Sequence, residues 1–394
     1  MLELFFWLNV LIVVYTYLGY GLILLVLNLL YFRKNNNKKI TAEKPGVSIL
    51  IAAYNEEDWI VEKINNTLSL DYPYELLNVI VITDGSTDGT LQKVESCSIP
   101  TGASFKVYHQ SERKGKLAAI ERIMPLVKTP ITIFTDANTQ LNRQAIQHLV
   151  RHYYNPNIGA VAGEKRISSA TKDEASSAGE GMYWKYESLL KRWDANLYSA
   201  VGAAGELFSI RTDLYENIPK DTLIEDFYLT MTVLRKGYRI AYAADAYALE
   251  AASISVGEEL KRKIRIAAGG LQASWRLRDL LNPFRYGVFS WQFFSHKILR
   301  WTLAPLALPI AFLLNLLLAF SIGQLYLSLL ILQGLFYLFA LLGWFFEKRQ
   351  LKIKAFFIPY YFCVMNYSVF LGFARLLKGQ QTVLWEKVER KRNQ

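Results

Sequence analysis

Three short acidic motifs in the middle of the chain have the residue types needed to bind a cation and to accept a proton. They are Asp84-Gly85-Ser86, Asp136-Ala137-Asn138 and Glu225-Asp226. Divalent cations such as Mg²⁺ and Mn²⁺ prefer oxygen ligands, which makes Asp136 and Asn138 candidate metal ligands. A carboxylate at Asp226 can act as a general base toward a hydroxyl group. The motifs therefore predict a site that combines a metal ion with proton transfer.

Local structure explains each motif equally well when that motif is taken alone. Asp and Asn are frequent in the turns that end strands, which would account for Asp84 and for the motif at 136–138. The helix dipole favours acidic residues in a first helical turn, which would account for Glu225 and Asp226. The choice between these alternatives depends on where the fold places the motifs.

The segments around the motifs predict an α/β fold with a mostly parallel sheet. Short, continuously apolar segments alternate with helical ones, as in parallel sheets that are buried on both faces. Ligands bind such sheets outside the carboxyl ends of the strands, and Asp84 and Asp136 each follow a predicted strand directly. We expect strands at residues 47–54, 77–83, 105–108, 131–135, 159–163 and 207–210, a further strand that starts at 240–242, and helices at 115–126, 180–197, 225–235 and 258–273.

Basic and small residues are candidates for contacts with phosphate groups and with an acceptor. The turn Arg113-Lys114-Gly115-Lys116 would face a pyrophosphate, although it lacks the Walker A spacing; the alternative is a solvated charge run. Arg262 and Arg265 share a helix face, where they would stabilise a diphosphate leaving group or form an exposed basic face at a membrane. The loop at 202–205 would let an acceptor approach Gly205 closely, or would simply pack tightly.

The ends of the chain are apolar enough to lie in a membrane. Of the 394 residues, 52% are hydrophobic, and the mean hydropathy of +0.14 is high for a soluble protein. Residues 4–32 are uncharged and exceed the roughly 20 residues that span a bilayer. The basic cluster at 33–39 then places the amino terminus outside. Residues 301–346 are long enough for two spans. Residues 355–374 form either a third span or a re-entrant segment, and a re-entrant segment would keep the basic tail inside.

Charge and cysteine content narrow the classes of partner. The formal net charge is +11, and the basic residues cluster beside the apolar segments, which suits a cytoplasmic leaflet with anionic lipids. We expect no nucleic-acid partner, because no basic stripe interleaved with aromatic residues appears in the central part. Cys97 and Cys363 lie far apart, so the sequence provides neither a disulfide framework nor a zinc-binding spacing.

These observations divide the chain into six expected segments. They are an N-terminal transmembrane helix at 1–32, a basic linker at 33–44, a cytoplasmic α/β domain at 45–280, an interfacial helix at 281–300, a C-terminal membrane region at 301–377 and a basic tail at 378–394.

The order of the motifs resembles that of family 2 glycosyltransferases, in particular the membrane-bound, cellulose-synthase-like branch. Tyr54-Asn55-Glu56-Glu57 comes first, the three acidic motifs follow, and the resemblance extends over residues 47–272. Asp136-Ala137-Asn138 looks like a variant of the family's Asp-x-Asp metal motif. Ile224-Glu225-Asp226 looks like its Thr-Glu-Asp motif, whose Asp is the catalytic base.

The resemblance implies a GT-A domain inserted between transmembrane helices, a UDP-sugar donor, a Mg²⁺ or Mn²⁺ cofactor and inverting transfer that gives a β-linked product. Asp226, with Glu225, would be catalytic, and Asp136 with Asn138 would hold the metal. Asp84 would bind the uracil and ribose end of the donor. The other implied substrate-binding residues are Tyr54, Glu56, Ser86, Lys114, Lys116, Gly205, Arg262 and Arg265.

One departure from the family concerns the acceptor. Processive members carry Gln-x-x-Arg-Trp, whereas this chain has Arg262-Lys263-Ile264-Arg265-Ile266, without the Gln and without the Trp that stacks on the acceptor sugar. The leading hypothesis is extension of a cell-surface polysaccharide at the plasma membrane, with an oligomer or a secretion partner completing the channel. The second hypothesis is transfer of one sugar to a lipid. The third is a catalytically silent scaffold that binds sugar nucleotides.

Overall fold

The computed structural model describes residues 1–31, 43–168, 175–251, 256–321, 323–349, 351 and 353–379. The predicted basic cluster at 33–39, most of the linker and nearly all of the basic tail lie outside these residues. The chain forms two compact units. One contains the described residues from 43 to 168 and from 191 to 251, and the other contains those up to 31, from 175 to 190 and from 256 onward.

The first unit is built on a mixed, mostly parallel sheet, which confirms the predicted fold class. Within the described residues the order of its eight strands is β3-β2-β1-β4-β7-β6-β8-β5. β3, β2, β1 and β4 are mutually parallel, as are β6 and β8, whereas β7 runs antiparallel to β4 and β6, and β5 runs antiparallel to β8. The strands are β1 Val47–Ala53, β2 Leu77–Asp84, β3 Ser104–Gln110, β4 Ile131–Asp136, β5 Thr139–Leu141, β6 Ile158–Ser168, β7 Leu207–Arg211 and β8 Arg239–Ala251.

The apolar character of the central strands explains their position in the sheet. β1, β2 and β4 are buried along almost their whole length, because helices cover parallel sheets on both faces. Ile60–Leu68 illustrates this covering, since Ile60, Ile64 and Leu68 recur at helical spacing and are buried against the sheet. The other α-helices in this unit are Thr90–Glu95, Lys116–Ile123, Ala145–Val150, Glu225–Arg235 and the end of Ala175–Leu197.

The strand register brings the first two acidic motifs to one edge of the sheet. β1 lies between β2 and β4, with Ala53 opposite Thr83 and Ala52 opposite Asp136. Asp84 and Asp136 therefore end their strands at the same carboxyl edge, separated by the width of one strand.

The second half of the sheet departs from the sequence-based expectation. β6 extends well beyond the predicted strand at 159–163, and β5 was not predicted, whereas β8 starts within one residue of the predicted start at Ile240. β5 has only three residues, and its antiparallel pairing with β8 is a long-range contact that no local pattern indicates. The helix Glu225–Arg235 has the bounds that the sequence predicts.

The second unit is helical. Four of its helices are long and apolar enough to cross a membrane, judged by length and composition among the described residues: Leu2–Leu30, Leu303–Ser321, Gln324–Lys348 and Ala355–Leu377. The last lies in one continuous helix, Lys354–Leu377, despite Pro359. The other helices are Val256–Arg276, the start of Ala175–Leu197, and four short segments in the predicted interfacial region: Pro283–Tyr286, Val288–Phe293, a π-helical turn at Phe294–Ile298, and Leu299–Trp301.

Candidate active site

The first acidic motif organises a basic loop through backbone contacts. Asp84 is 4% exposed, and its carboxylate accepts hydrogen bonds from the amide of Lys114 at 3.1 Å and from the amide of Gly115 at 2.6 Å. Gly85 has a φ of +66°, and a Cβ there would lie 2.5 Å from the Arg113 nitrogen. Only glycine fits this position, since both the backbone conformation and the close approach exclude a side chain.

A second set of contacts joins this motif to the loop after β1. The Asn55 amide donates to Ser86 Oγ at 3.1 Å, and the Thr87 amide donates to Asn55 Oδ1 at 2.8 Å. The Glu56 amide donates to Thr90 Oγ1 at 2.8 Å. Asn55 adopts a φ of +53°, a left-handed conformation that Asn tolerates better than most residues.

An aromatic ring and a guanidinium complete this part of the site. The Arg113 guanidinium carbon lies 3.6 Å from the centroid of the Tyr54 ring, which is a close cation–π contact. Tyr54, Glu56, Asp84 and Ser86 are thus brought together by two interlocked loops. Their contact with a nucleotide stays a prediction.

The second and third acidic motifs meet at one lysine. Lys116, the first residue of its helix, is 8% exposed, and its Nζ lies 2.7 Å from Asp136 Oδ1 and 3.1 Å from Glu225 Oε1. These contacts join residues that lie 20 and 109 positions apart in the sequence. They make Lys116 the internal counterion of the acidic cluster. The sequence predicted only a contact between Lys116 and phosphate and gave no indication of this second role.

The cluster carries more negative than positive charge. Burial alone would lower the pKa of Lys116, but the Asp136 and Glu225 carboxylates outweigh it and raise this pKa above the ordinary value. Burial raises the pKa of Asp136 in spite of the adjacent Lys116, and the nearby charges of Glu206 and Glu250 add to this effect. A further cation would therefore be stabilised here.

Asp226 is a second carboxylate of the cluster whose pKa is raised. It stands in the first turn of the helix Glu225–Arg235, and burial together with the charge of Glu225 raises its pKa to about 7. Gly205 faces it, since a Cβ at Gly205 would lie 3.3 Å from both Asp226 Oδ2 and Lys116 Nζ. Gly205 therefore contributes only backbone atoms next to Asp226 Oδ2.

The residues at the end of β4 fit a divalent cation whose coordination is completed by a substrate. Asn138 lies half-buried in the tight turn between β4 and β5, two residues beyond Asp136. Among the described residues, no group of three or more His, Cys, Asp or Glu side chains is placed to hold a metal ion. One or two side-chain oxygens together with substrate phosphates are a common coordination set for Mg²⁺, and Asp136 with Asn138 suits that set.

In the ion pairs that the structure describes, the side chains of three further predicted residues have no contact with the acidic cluster. Lys114 is exposed, and its Nζ lies 3.2 Å from Glu112 Oε2. Arg262 and Arg265 belong to Val256–Arg276 in the helical unit, where Arg262 lies 3.5 Å from Glu259 Oε2. Their contacts with a diphosphate stay predictions.

A group of buried charged residues close to the site was not predicted from the sequence. Lys63 is 1% exposed and donates to Thr135 Oγ1 at 2.8 Å, and burial lowers its pKa to about 7. Lys165, Glu206 and Glu250 are also buried. One signal was available for Lys63, because the sequence places it beside Ile64 on the spacing that gives the helix Ile60–Leu68 its apolar face.

Part of the α/β domain and the fold both resemble known proteins. Residues 48–218 match the sequence model described as Glycosyl transferase family 2. The poly-beta-1,6-N-acetyl-D-glucosamine synthase of Staphylococcus aureus (strain MSSA476) is 27% identical over 251 residues, which make up 62% of this chain and 58% of that protein. The synthase of the same name from Staphylococcus epidermidis is 25% identical over 248 residues. This chain thus aligns with less than two thirds of either relative.

A solved structure agrees over almost the whole chain. The mannosyltransferase PcManGT from Pyrobaculum calidifontis, in complex with GDP-Man and Mn²⁺, superposes with a TM-score of 0.72 at 20% identity. The match covers 97% of this chain and 100% of that one, and at this identity it bears on the fold alone. Residues 48–218 thus match glycosyl transferase family 2, and the fold and the order of the motifs agree with that match.

Proposed function

We propose that this protein is an inverting glycosyltransferase that moves a sugar from a UDP-sugar to a growing cell-surface polysaccharide and forms a β-linkage. One observation carries the proposal: Asp136, Glu225 and Asp226 gather around Lys116 at the carboxyl edge of a GT-A sheet. Such a cluster combines a binding position for a cation with a base of suitable strength, which is what sugar transfer to a hydroxyl group requires.

Asp226 is the proposed general base. Its carboxylate removes the proton of the acceptor hydroxyl as that oxygen attacks the anomeric carbon from the face opposite the diphosphate. Because burial and Glu225 raise the pKa of Asp226 to about 7, the carboxylate is a stronger base than an ordinary aspartate and is still ionised above neutral pH. Gly205 places no side chain beside Asp226, where a Cβ would lie 3.3 Å from Asp226 Oδ2.

Asp136 and Asn138 are the proposed ligands of Mg²⁺ or Mn²⁺. When bound, such an ion neutralises charge that develops on the diphosphate leaving group. Lys116 supplies a permanent positive charge in the same cluster, and its two ion pairs keep Asp136 and Glu225 in place. The loops that carry Tyr54, Asp84 and Ser86 are the proposed binding surface for uracil and ribose.

The names of the relatives suggest the donor and the acceptor class. Two of the proteins that this chain resembles are poly-beta-1,6-N-acetyl-D-glucosamine synthases, so UDP-N-acetylglucosamine is the first donor to test. The four apolar helices support a membrane location, and we place the α/β domain on the cytoplasmic side of the plasma membrane. Each turnover there consumes a cytoplasmic nucleotide-sugar, and an oligomer or a secretion partner would help the product leave the cell.

A second candidate is transfer of one sugar to a lipid acceptor. The residue that favours it is Ile266, which stands where processive members of the family have an acceptor-stacking Trp. A side chain without an aromatic face holds a growing sugar chain less firmly. The donor, the base and the metal ligands would be the same in both candidates, and only the product would differ.

A donor screen with product sizing tests the proposal. The full-length protein in lipid nanodiscs receives radiolabelled UDP-N-acetylglucosamine, UDP-glucose, UDP-galactose or GDP-mannose, each with Mg²⁺ and Mn²⁺. We expect a polymer from one UDP-sugar, formed about a hundredfold or more slowly by the Asp226→Asn variant. A single-sugar glycolipid would support the second candidate. Binding of UDP without transfer from any donor would contradict both candidates and would leave the protein as a silent scaffold.

A further inference from the structure

A buried ion-pair cluster lies behind the acidic site and has no role in the mechanism above. Lys165 is 3% exposed, Glu206 is 5% exposed and Glu250 is 2% exposed. Lys165 Nζ lies 2.6 Å from Glu206 Oε1 and also forms an ion pair with Glu250. Three charges at this depth lose most of their hydration, so their mutual pairing has to hold them in place.

The cluster joins three separate parts of the sheet. Lys165 lies on β6 and Glu250 on β8, while Glu206 directly precedes β7. The lysine therefore fixes the end of the loop that leads into β7 against two strands. Glu206 is held by its backbone as well, because Thr135 Oγ1 donates to its carbonyl oxygen at 2.9 Å. Thr135 is the residue before Asp136, so Glu206 is tied directly to the strand that carries the proposed metal ligand.

The same loop faces the proposed base. Gly205 precedes Glu206, and a Cβ at Gly205 would lie only 3.3 Å from Asp226 Oδ2. A small displacement of Glu206 would thus open or close the space in which an acceptor hydroxyl has to meet Asp226. Lys165 therefore holds this loop in place at Glu206, and the neighbouring Gly205 lies next to Asp226.

The cluster also acts on Asp226 through its charge. Among the described residues, the charged groups with the largest effect on Asp226 are Glu225 from its own helix, Lys116 from the helix Lys116–Ile123 and Glu206 from the loop before β7. The negative charge of Glu206 favours the protonated form of Asp226, and the adjacent ammonium group of Lys165 opposes this effect. Removing Lys165 and removing Glu206 should therefore move the titration of Asp226 in opposite directions.

We propose that Lys165 is a positioning residue for sugar transfer, which holds Gly205 and Glu206 at the distance from Asp226 that an acceptor hydroxyl requires and balances the charge of Glu206. The inference rests on the proposed function, because it assigns Asp226 as the base. Lys165 itself does not touch the substrate in this assignment.

The test compares Lys165→Met with Glu206→Gln in the full-length protein, using the donor and metal that support transfer by the wild type. We expect kcat of Lys165→Met to fall at least about tenfold, with KM for the donor changed less than about threefold, because the loop on the acceptor side moves and the nucleotide loops do not. The acid limb of the pH profile of kcat should move to higher pH in Lys165→Met and to lower pH in Glu206→Gln. Lys165→Arg should recover most of the rate.

Folding is checked separately, since loss of a buried lysine can unfold a domain. UDP binding reports on the folded nucleotide loops, and Lys220→Met at an exposed position is the matched control. If Lys165→Met does not bind UDP, the pH profile of Glu206→Gln alone tests the proposal. That variant should stay folded, because Lys165 keeps Glu250 as a partner in it. Unchanged acid limbs, or shifts in the same direction, overturn the positioning role while leaving the proposed function intact. A wild type that transfers no sugar overturns both.

Discussion

Asp226 titrates within the pH range of ordinary assays, because burial and the charge of Glu225 raise its pKa to about 7. As a base it works only when deprotonated, so kcat should fall as the pH decreases below about 7 and should level off above it. A pH profile at saturating donor measures this limb. The kcat of the Asp226→Asn variant should be about a hundredfold or more below that of the wild type at every pH. A profile that is flat from pH 5 to 8 would remove Asp226 from the role of base.

Asp226 affects stability with the opposite pH dependence: activity should rise with pH, whereas stability from this group should fall. The pKa of Asp226 is raised on folding from 3.8 to about 7, so the folded state binds more protons than the unfolded state between these values. Stability from this group is therefore present at low pH and is lost as the pH rises through 7. Asp226→Asn should raise the free energy of unfolding at pH 8 by on the order of 1 kcal/mol, measured by thermal unfolding. A decrease at pH 8 would show that the carboxylate has stabilising contacts.

Lys116 tests the electrostatics of the cluster. In Lys116→Met the carboxylates of Asp136 and Glu225 lose their counterion, and breaking such a buried pair costs about 3 kcal/mol or more. Mn²⁺ should then raise the melting temperature of the variant more than that of the wild type, because the ion replaces the missing positive charge. The exposed Lys128→Met is the control. An equal response to Mn²⁺ in both proteins would place the ion away from Asp136.

At the scale of elements, the nucleotide loop and the acceptor loop should respond differently to one added methyl group. A Cβ at Gly85 would strike the Arg113 backbone, whereas a Cβ at Gly205 would press on Asp226 and Lys116 at 3.3 Å. We expect Gly85→Ala to lose UDP binding. Gly205→Ala should keep UDP binding and lose about tenfold in kcat, because only the approach to the base narrows.

Gly102→Ala separates the two effects that a side chain would have at Gly85, which are backbone strain from the positive φ and the clash with the Arg113 backbone. Gly102 also has a positive φ, of +86°, but nothing lies within 4 Å of its Cβ position. The Gly102→Ala variant should therefore be destabilised by backbone strain alone, and it should still bind UDP. Loss of UDP binding in Gly205→Ala would mean that the two loops do not act separately.

The elements that local patterns determine could be predicted from the sequence, and those that depend on distant pairing could not. The apolar runs of β1, β2 and β4 indicated both the strands and the edge where Asp84 and Asp136 end. β5 escaped prediction because it is stabilised by β8, more than a hundred residues away. The ion pairs of Lys116 and Lys165 escaped for the same reason, since charge patterns along a sequence do not show which carboxylates a buried lysine will meet.

For the whole molecule, the two cysteines provide a test of the proposed topology. Cys97 lies partly exposed in the α/β unit, and Cys363 lies in the last apolar helix. In intact cells a membrane-impermeant maleimide should label neither residue, and after permeabilisation it should label Cys97 only. Cys97→Ser is the control that assigns the signal. Labelling of Cys97 in intact cells would place the α/β domain outside and would exclude a cytoplasmic sugar-nucleotide donor.

The contacts of Lys116 also bear on how the protein should behave toward chelating agents. Because a lysine of the chain already neutralises Asp136 and Glu225, the acidic cluster does not require an external ion in order to fold. This differs from a zinc finger, in which the apo chain is unfolded. EDTA should therefore stop sugar transfer without changing the far-UV circular dichroism spectrum, and added Mn²⁺ should restore activity at once, with no slow refolding phase. A purification in chelating buffer would then yield intact protein ready for reactivation.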